Sequence, residues 1–191
     1  MADVKHLTMK ELEAGLDFIR KSPKDDGALE LIVRRPQVDK RETLTTAQLN
    51  LALGLEGDDW KTRGSSATPD GTAHPDAQLT LMNSRIISLI AGDKKRWPLA
   101  GDQLYVDLDL GDENLPPGTQ LAIGEAIIEV SAKPHTGCSK FVSRFGLDAQ
   151  KFVNSPVGKQ LHLRGINTKI IRAGQIRVGD VVRKIGHADQ P

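Results

Sequence analysis

A chain of 191 residues, 38% of them hydrophobic but only 4% aromatic, suits one domain, or one domain with a short appendage, whose core is filled by aliphatic side chains. Its 26 basic and 25 acidic residues leave a net charge of +1, which removes the strongly basic footprint that would make nucleic acid a default partner. The single cysteine, Cys138, excludes an internal disulfide and any multi-cysteine zinc or iron–sulfur site within the chain.

Unbroken apolar runs last only a few residues, too short for a membrane-spanning helix. The opening stretch MADVKHLTMKELEAG carries charges where a signal peptide needs an apolar core. A soluble, cytoplasmic protein with no membrane and no nucleic-acid partner is the expectation.

Thr8 followed by Glu11 is a capping-box pattern, and Leu12, Leu16 and Ile19 then share one helical face until Ser22-Pro23 ends the helix. From Ala28 to Arg34, Leu29, Leu31 and Val33 alternate with Glu30, Ile32 and Arg34, as in a strand. Thr45 or Thr46 is placed to cap a short helix from Ala47 to Leu53, and residues 58–71 read as a long loop. Gln78 to Met82 reads as a strand, and Asn83 as the cap of a helix that carries Ile86, Leu89 and Ile90 on one face and ends at Gly92. Gln103 to Leu110 alternates, with Leu104, Val106, Leu108 and Leu110 on one side and Tyr105, Asp107 and Asp109 on the other.

Thr119 to Val130 carries the best local signal. Gly124-Glu125 supplies a two-residue turn with glycine first, and that register pairs Ile123 with Ala126, Leu121 with Ile128 and Thr119 with Val130. Gly174 to Val182 repeats the layout with a Gly179-Asp180 turn and predicts a second hairpin. Between them, Ser139 to Phe145 and Asp148 to Val153 have helical spacing, and Leu163 to Arg172 returns to strand. Short strands with turns between them predict a mostly β barrel with peripheral helices, an α+β protein. The boundaries expected are an N-terminal helix and linker over 1–27, the barrel over 28–185 and a tail over 186–191.

No phosphate-binding glycine loop, dinucleotide fingerprint, nucleophile elbow or paired-histidine zinc motif occurs, and the five histidines show no metal-ligand spacing. Asp107, Asp109, Asp112 and Glu113 do not fit a calcium loop, because its glycine and its final glutamate are missing. Such residues form a solvated strand face.

The informative stretch is Lys133-Pro-His-Thr-Gly-Cys-Ser-Lys-Phe-Val-Ser-Arg144. A thiol just before a helix, with Lys133, His135, Lys140 and Arg144 nearby in sequence, is pushed toward thiolate, the form that attacks sulfur or ligates a soft metal. The competing reading is a small buried hydrophobe with no chemistry.

The run PLAGDQLYVDLDLGDENLPPGTQLAIGEAIIEVSAKPHTGCSKF resembles the MOSC domain, the C-terminal domain type of molybdenum cofactor sulfurases, also found as small stand-alone proteins. LGLEGDDWKTRG, DAQLTLMN and GQIRVGDVV look like that family's earlier and closing blocks, so the resemblance spans roughly 28 to 185. It departs at Asp102-Gln103, where the family often shows Glu-Asn, and at Arg63, which lies further from the Gly-Asp of the first block than the family's basic residue or histidine.

The resemblance implies a MOSC-type β-barrel with Cys138 as its functional cysteine, either ligating the molybdenum of a molybdopterin-type cofactor or carrying sulfur as a persulfide. Arg63, Asn83, His135, Thr136 and Lys140 are the candidate cofactor-binding residues. Similar stand-alone members include reductases of N-hydroxylated substrates such as hydroxylaminopurines, so the expected function is a molybdenum-dependent oxidoreductase. A sulfur carrier and a non-catalytic binding module are the alternatives. Pyridoxal phosphate is not expected in this chain, and a separate electron donor or cysteine desulfurase is the expected partner.

Overall fold

The computed structural model describes residues 5–136 and 139–186. Its strands are β1 (Gly27–Arg34), β2 (Glu42–Leu44), β3 (Thr46–Asn50), β4 (Gly54–Leu55), β5 (Leu79–Asn83), β6 (Leu104–Asp107), β7 (Gln120–Ile123), β8 (Ala126–Val130), β9 (Ile166–Arg172), β10 (Gly174–Arg177) and β11 (Val181–Lys184). Its helices are α1 (Met9–Ala14), α2 (Leu16–Arg20), α3 (Trp60–Arg63), α4 (Ser84–Ala91), α5 (Ser139–Phe145), α6 (Leu147–Val153) and α7 (Pro156–Gln160).

Seven strands close a barrel in the order β1-β11-β7-β8-β9-β5-β6, with β6 returning to β1. Every neighbouring pair is antiparallel except β5 and β6. Those two are parallel because α4 carries the chain between them, the crossover that parallel strands need. β2 extends β1 at its far end, and β3, β4 and β10 form a separate small sheet.

Two apolar clusters use the two faces of the barrel wall. Leu29, Leu81, Leu104, Val106, Leu121, Ile123 and Ile128 fill one. Val33, Met82 and Tyr105, from β1, β5 and β6, point the other way, into a cluster with Leu12, Ile86, Phe141, Phe145 and Phe152 from the helices. The alternation predicted for β6 is therefore present, but its second face is covered. Tyr105 is fully buried, and its hydroxyl donates to the Trp97 carbonyl at 2.7 Å.

The β7–β8 hairpin has the register its turn predicts, Ile123 opposite Ala126 and Leu121 opposite Ile128. Gly124 takes φ +54, and a Cβ there would stand 2.6 Å from the Gln175 carbonyl oxygen, so the turn needs glycine. Asn83 caps α4 by accepting from the backbone N–H groups of Arg85 and Ile86. Thr8 and Glu11 form the capping box of α1.

Three expectations are corrected. Residues 46–50 are a strand, not a helix, because Ala47 and Leu49 alternate into the core while Thr46 and Gln48 face solvent. The two strands at the end of the chain do not pair with each other: β10 pairs with β3, and β11 pairs with β7 and β1. The Gly179-Asp180 turn between them is used to pass the chain from the small sheet to the barrel seam. The first helical segment breaks at Gly15 into α1 and α2, and α1 packs on α6. Sequence periodicity also passed over α7, a single turn opened by Ser155 and Pro156.

Candidate functional site

One end of the barrel holds a buried chain of charged and polar groups. Asp102 stands just before β6 with none of its side chain exposed. One of its oxygens accepts from Arg164 at 2.7 Å and the other lies 2.9 Å from His135 Nε2. Gln103 continues the chain: its carbonyl oxygen accepts from the Thr80 backbone N–H and hydroxyl, and its amide reaches Asp58 at 3.4 Å. Asp58 accepts two bonds from the Arg35 guanidinium, at 2.8 and 2.9 Å.

Loops supply these groups and the strands hold them at one level. Arg35 follows β1, Asp58 precedes α3, His135 leaves β8 and Arg164 precedes β9. Gly165 lets the chain pass against β5, since a Cβ at that position would collide with the Leu81 carbonyl. Three arginines also donate to consecutive carbonyls, Arg144 to Leu99, Arg164 to Ala100 and Arg35 to Gly101. The loop before Asp102 is thus tied down residue by residue.

The electrostatics follow from burial and pairing. Burial by itself pushes the Asp102 carboxyl up, but the Arg164 charge and the bonds from His135 and Arg164 outweigh it and hold the group at about 2. His135 is lowered, chiefly by burial and then by the Arg164 charge, against the pull of Asp102. Arg41 is lowered by burial and by the charges of Arg144 and Arg35, and Arg63 by burial and by Arg35. These cations therefore crowd one another.

Around the loop, Arg35, Arg41, Arg63, Arg144, Arg164 and Lys140 face the carboxylates of Asp39, Asp58, Asp59 and Asp102, an excess of positive charge. The buried Nε–H groups of Arg41 and Arg164 have no acceptor among the described residues. An excess of guanidinium with unused donors suits an anionic group such as a phosphate.

Beside this network lies a cavity of about 390 Å³, walled by His135, Thr136, Val153, Asn154, Lys159 and Arg164, with Asp112 and His162 also on its wall. Asp112, His135 and His162 line a smaller neighbouring cavity of about 140 Å³ as well.

The candidate residues are placed as follows. His135 and Thr136 line the larger cavity. Arg63 pairs with Asp59 at 3.0 Å and joins the cluster through Arg35, while Lys140 is exposed and pairs with Asp39 at 3.3 Å. Asn83 is not brought to this group. It lies at the opposite end of β5 from Thr80, its amide donates to Ser22 and to the Leu108 carbonyl, and its oxygen caps α4. Cys138 lies outside the described residues. Arg35, Asp58, Arg164 and His162 carry no functional signal in the sequence, and Asp112, read there as part of a solvated acidic face, instead lines both cavities. Arg35 is a charge held between a strand and Pro36, and Arg164 a charge next to a glycine at a strand start, patterns that surface residues share.

Comparison with known proteins agrees with this architecture. The family model described as MOSC domain matches residues 72–183. The chain belongs to the MOSC domain family. Among solved structures it is similar to YiiM from Escherichia coli, with 21% identity, a TM-score of 0.53 and coverage of 84% of this chain and 70% of that one. It is also similar to the YUAD protein from Bacillus subtilis (15% identity, TM-score 0.57, 82% and 93%) and to YiiM from Geobacillus stearothermophilus (15%, 0.55, 84% and 75%). At these identities the likeness is one of fold. A search of curated proteins gives no match. Among the described residues no helix is long and apolar enough to cross a membrane.

Proposed function

We propose that this protein binds a molybdenum cofactor of the molybdopterin type, with the Cys138 thiolate as metal ligand, and reduces N-hydroxylated substrates with electrons from a separate donor protein. The observation that carries this reading is the cavity of about 390 Å³ bounded by His135, Thr136 and Arg164 and backed by the arginine cluster. Its size is in the range of small-molecule sites. Family membership supports the same class of cofactor.

In this reading Arg41, Arg63 and Lys140 supply charge for the cofactor phosphate, and His135 and Arg164 meet the pterin edge. The bound metal centre supplies two-electron oxygen-removal chemistry. Asp102 has a positioning role: it holds the Arg164 fork and the His135 ring from behind, so neither side chain has to be ordered when a ligand arrives.

Metal analysis and pterin fluorescence on protein made in a cofactor-competent host test the proposal. Wild type is expected to carry molybdenum and pterin, and Cys138→Ser to lose most of the metal. No molybdenum in wild type, or equal loading in the variant, overturns it. A persulfide on Cys138 after incubation with a cysteine desulfurase, found by mass spectrometry in protein that holds no molybdenum, replaces it with the sulfur-carrier reading.

A further inference from the structure

His162 and Asp112 form a pair that the reading above does not use. His162 Nε2 lies 2.6 Å from Asp112 Oδ1, and both residues line the larger cavity together with His135 and Arg164. The pair joins distant parts of the chain, since Asp112 follows β6 and His162 follows α7. Its backbone is built to hold it: the Asp112 N–H donates to the Gln160 carbonyl, the His162 N–H to Lys159, and the Gly165 N–H to His162. His162 sits at φ +47, a conformation uncommon for residues other than glycine and one that gathers at functional sites. Neither side chain is sealed, with His162 29% and Asp112 60% exposed, so protons can exchange with solvent.

A carboxylate on Nε2 fixes the ring in the tautomer with hydrogen on that nitrogen. The proton the imidazolium can give away is then the one on Nδ1. Removing oxygen from an N-hydroxylated base needs such a donor. The N–O bond breaks as two electrons arrive; one proton goes to nitrogen and one to the departing oxygen, which leaves as water.

We infer that His162, oriented by Asp112, delivers one of these two protons to an N-hydroxylated base bound in the cavity, while the separate donor protein supplies both electrons and solvent the second proton. This rests on the function proposed above. The charged and titratable groups that share its surroundings are Asp112, Lys159, Arg164 and His135 around the larger cavity and Lys133 around the smaller. Asp112 is the positioning residue.

The test uses the full-length, cofactor-loaded protein, 6-hydroxylaminopurine as substrate and reduced methyl viologen as electron donor. His162→Asn keeps a side chain that tolerates positive φ, and Asp112→Asn keeps the shape of an exposed residue. Expected is molybdenum content and KM within about twofold of wild type for both. For His162→Asn, kcat falls by about 100-fold near neutral pH and its dependence on pH flattens. For Asp112→Asn, kcat falls less, about tenfold, and the hydrogen-bonded Nε2–H signal of His162 in the proton NMR spectrum moves upfield, because a neutral amide oxygen replaces the charged acceptor.

Wild-type kcat and pH profile in a fully loaded His162→Asn overturn the inference alone. So does loss of molybdenum from that variant, which would assign His162 to holding the cofactor. A wild type that carries molybdenum but reduces no N-hydroxylated base overturns the proposed function and this role with it.

Discussion

Asp102 shows how a carboxylate can be fully buried and remain charged. Its oxygens are divided between Arg164 and His135, and the opposing charge outweighs the cost of burial. An acid held at about 2 when folded, against 3.8 when free, stabilises the fold at every pH above the free value. That contribution, on the order of 2 kcal/mol, is lost as the pH falls through about 2. His135 acts earlier. Its folded value lies below 6.5, so the unfolded chain takes up the proton first and stability begins to fall as the pH drops below about 6.5. Urea unfolding between pH 7 and 4 is expected to show this decline in wild type and a flatter one in His135→Asn. Asp102→Asn at pH 7 is expected to cost about 3–5 kcal/mol, because it leaves Arg164 buried without its counter-charge. A loss under 1 kcal/mol would mean that the network carries little of the fold.

At the scale of elements, the same residue type can serve a site or a helix, and hydrogen-bond accounting decides between them. Asn83 accepts from two backbone N–H groups at the start of α4 and donates to Ser22 and Leu108, so no polar atom of its amide is left for a ligand. Asn83→Ala is expected to lower stability by about 2–4 kcal/mol, from the lost cap and from buried acceptors left without a donor. The molybdenum content per folded molecule should stay unchanged. Falling metal content in variant protein whose fold is intact by circular dichroism would return Asn83 to the site. The β7–β8 hairpin was readable because turn chemistry and alternation agree within a dozen residues. Residues 46–50 are ambiguous in sequence, because a capping-type threonine and a short apolar stretch fit helix and strand alike. The pairing of β3 with β10, more than a hundred residues away, settles the matter.

For the whole molecule, closure depends on a short seam. β1 meets β11 through Gly27 opposite Val182 and Ala28 opposite Val181, extended by the Leu29 N–H to the Asp180 carbonyl and the Gly179 N–H to the Leu29 carbonyl. The β8–β9 pair is registered from Ile127 to Val130. Local opening starts where the ladder is shortest. Native-state hydrogen exchange is therefore expected to show the Leu29 amide exchanging faster than the amides that join β8 and β9. Equal protection across both pairs would mean that the barrel opens only as a unit.

The sequence by itself determined the aliphatic barrel strands, the Gly124 hairpin, the capped α1 and α4, and the basic stretch around Cys138. Periodicity, turns and caps act over a few residues and leave a local mark. Only the tertiary structure decided that Arg35, Asp58, Asp102 and Arg164 meet at one end of the barrel and that Asp112 reaches His162. Charged residues look alike along a chain and by default face water. Which of them are withdrawn from it, and against which partner, is settled by how strands far apart in sequence close into a ring.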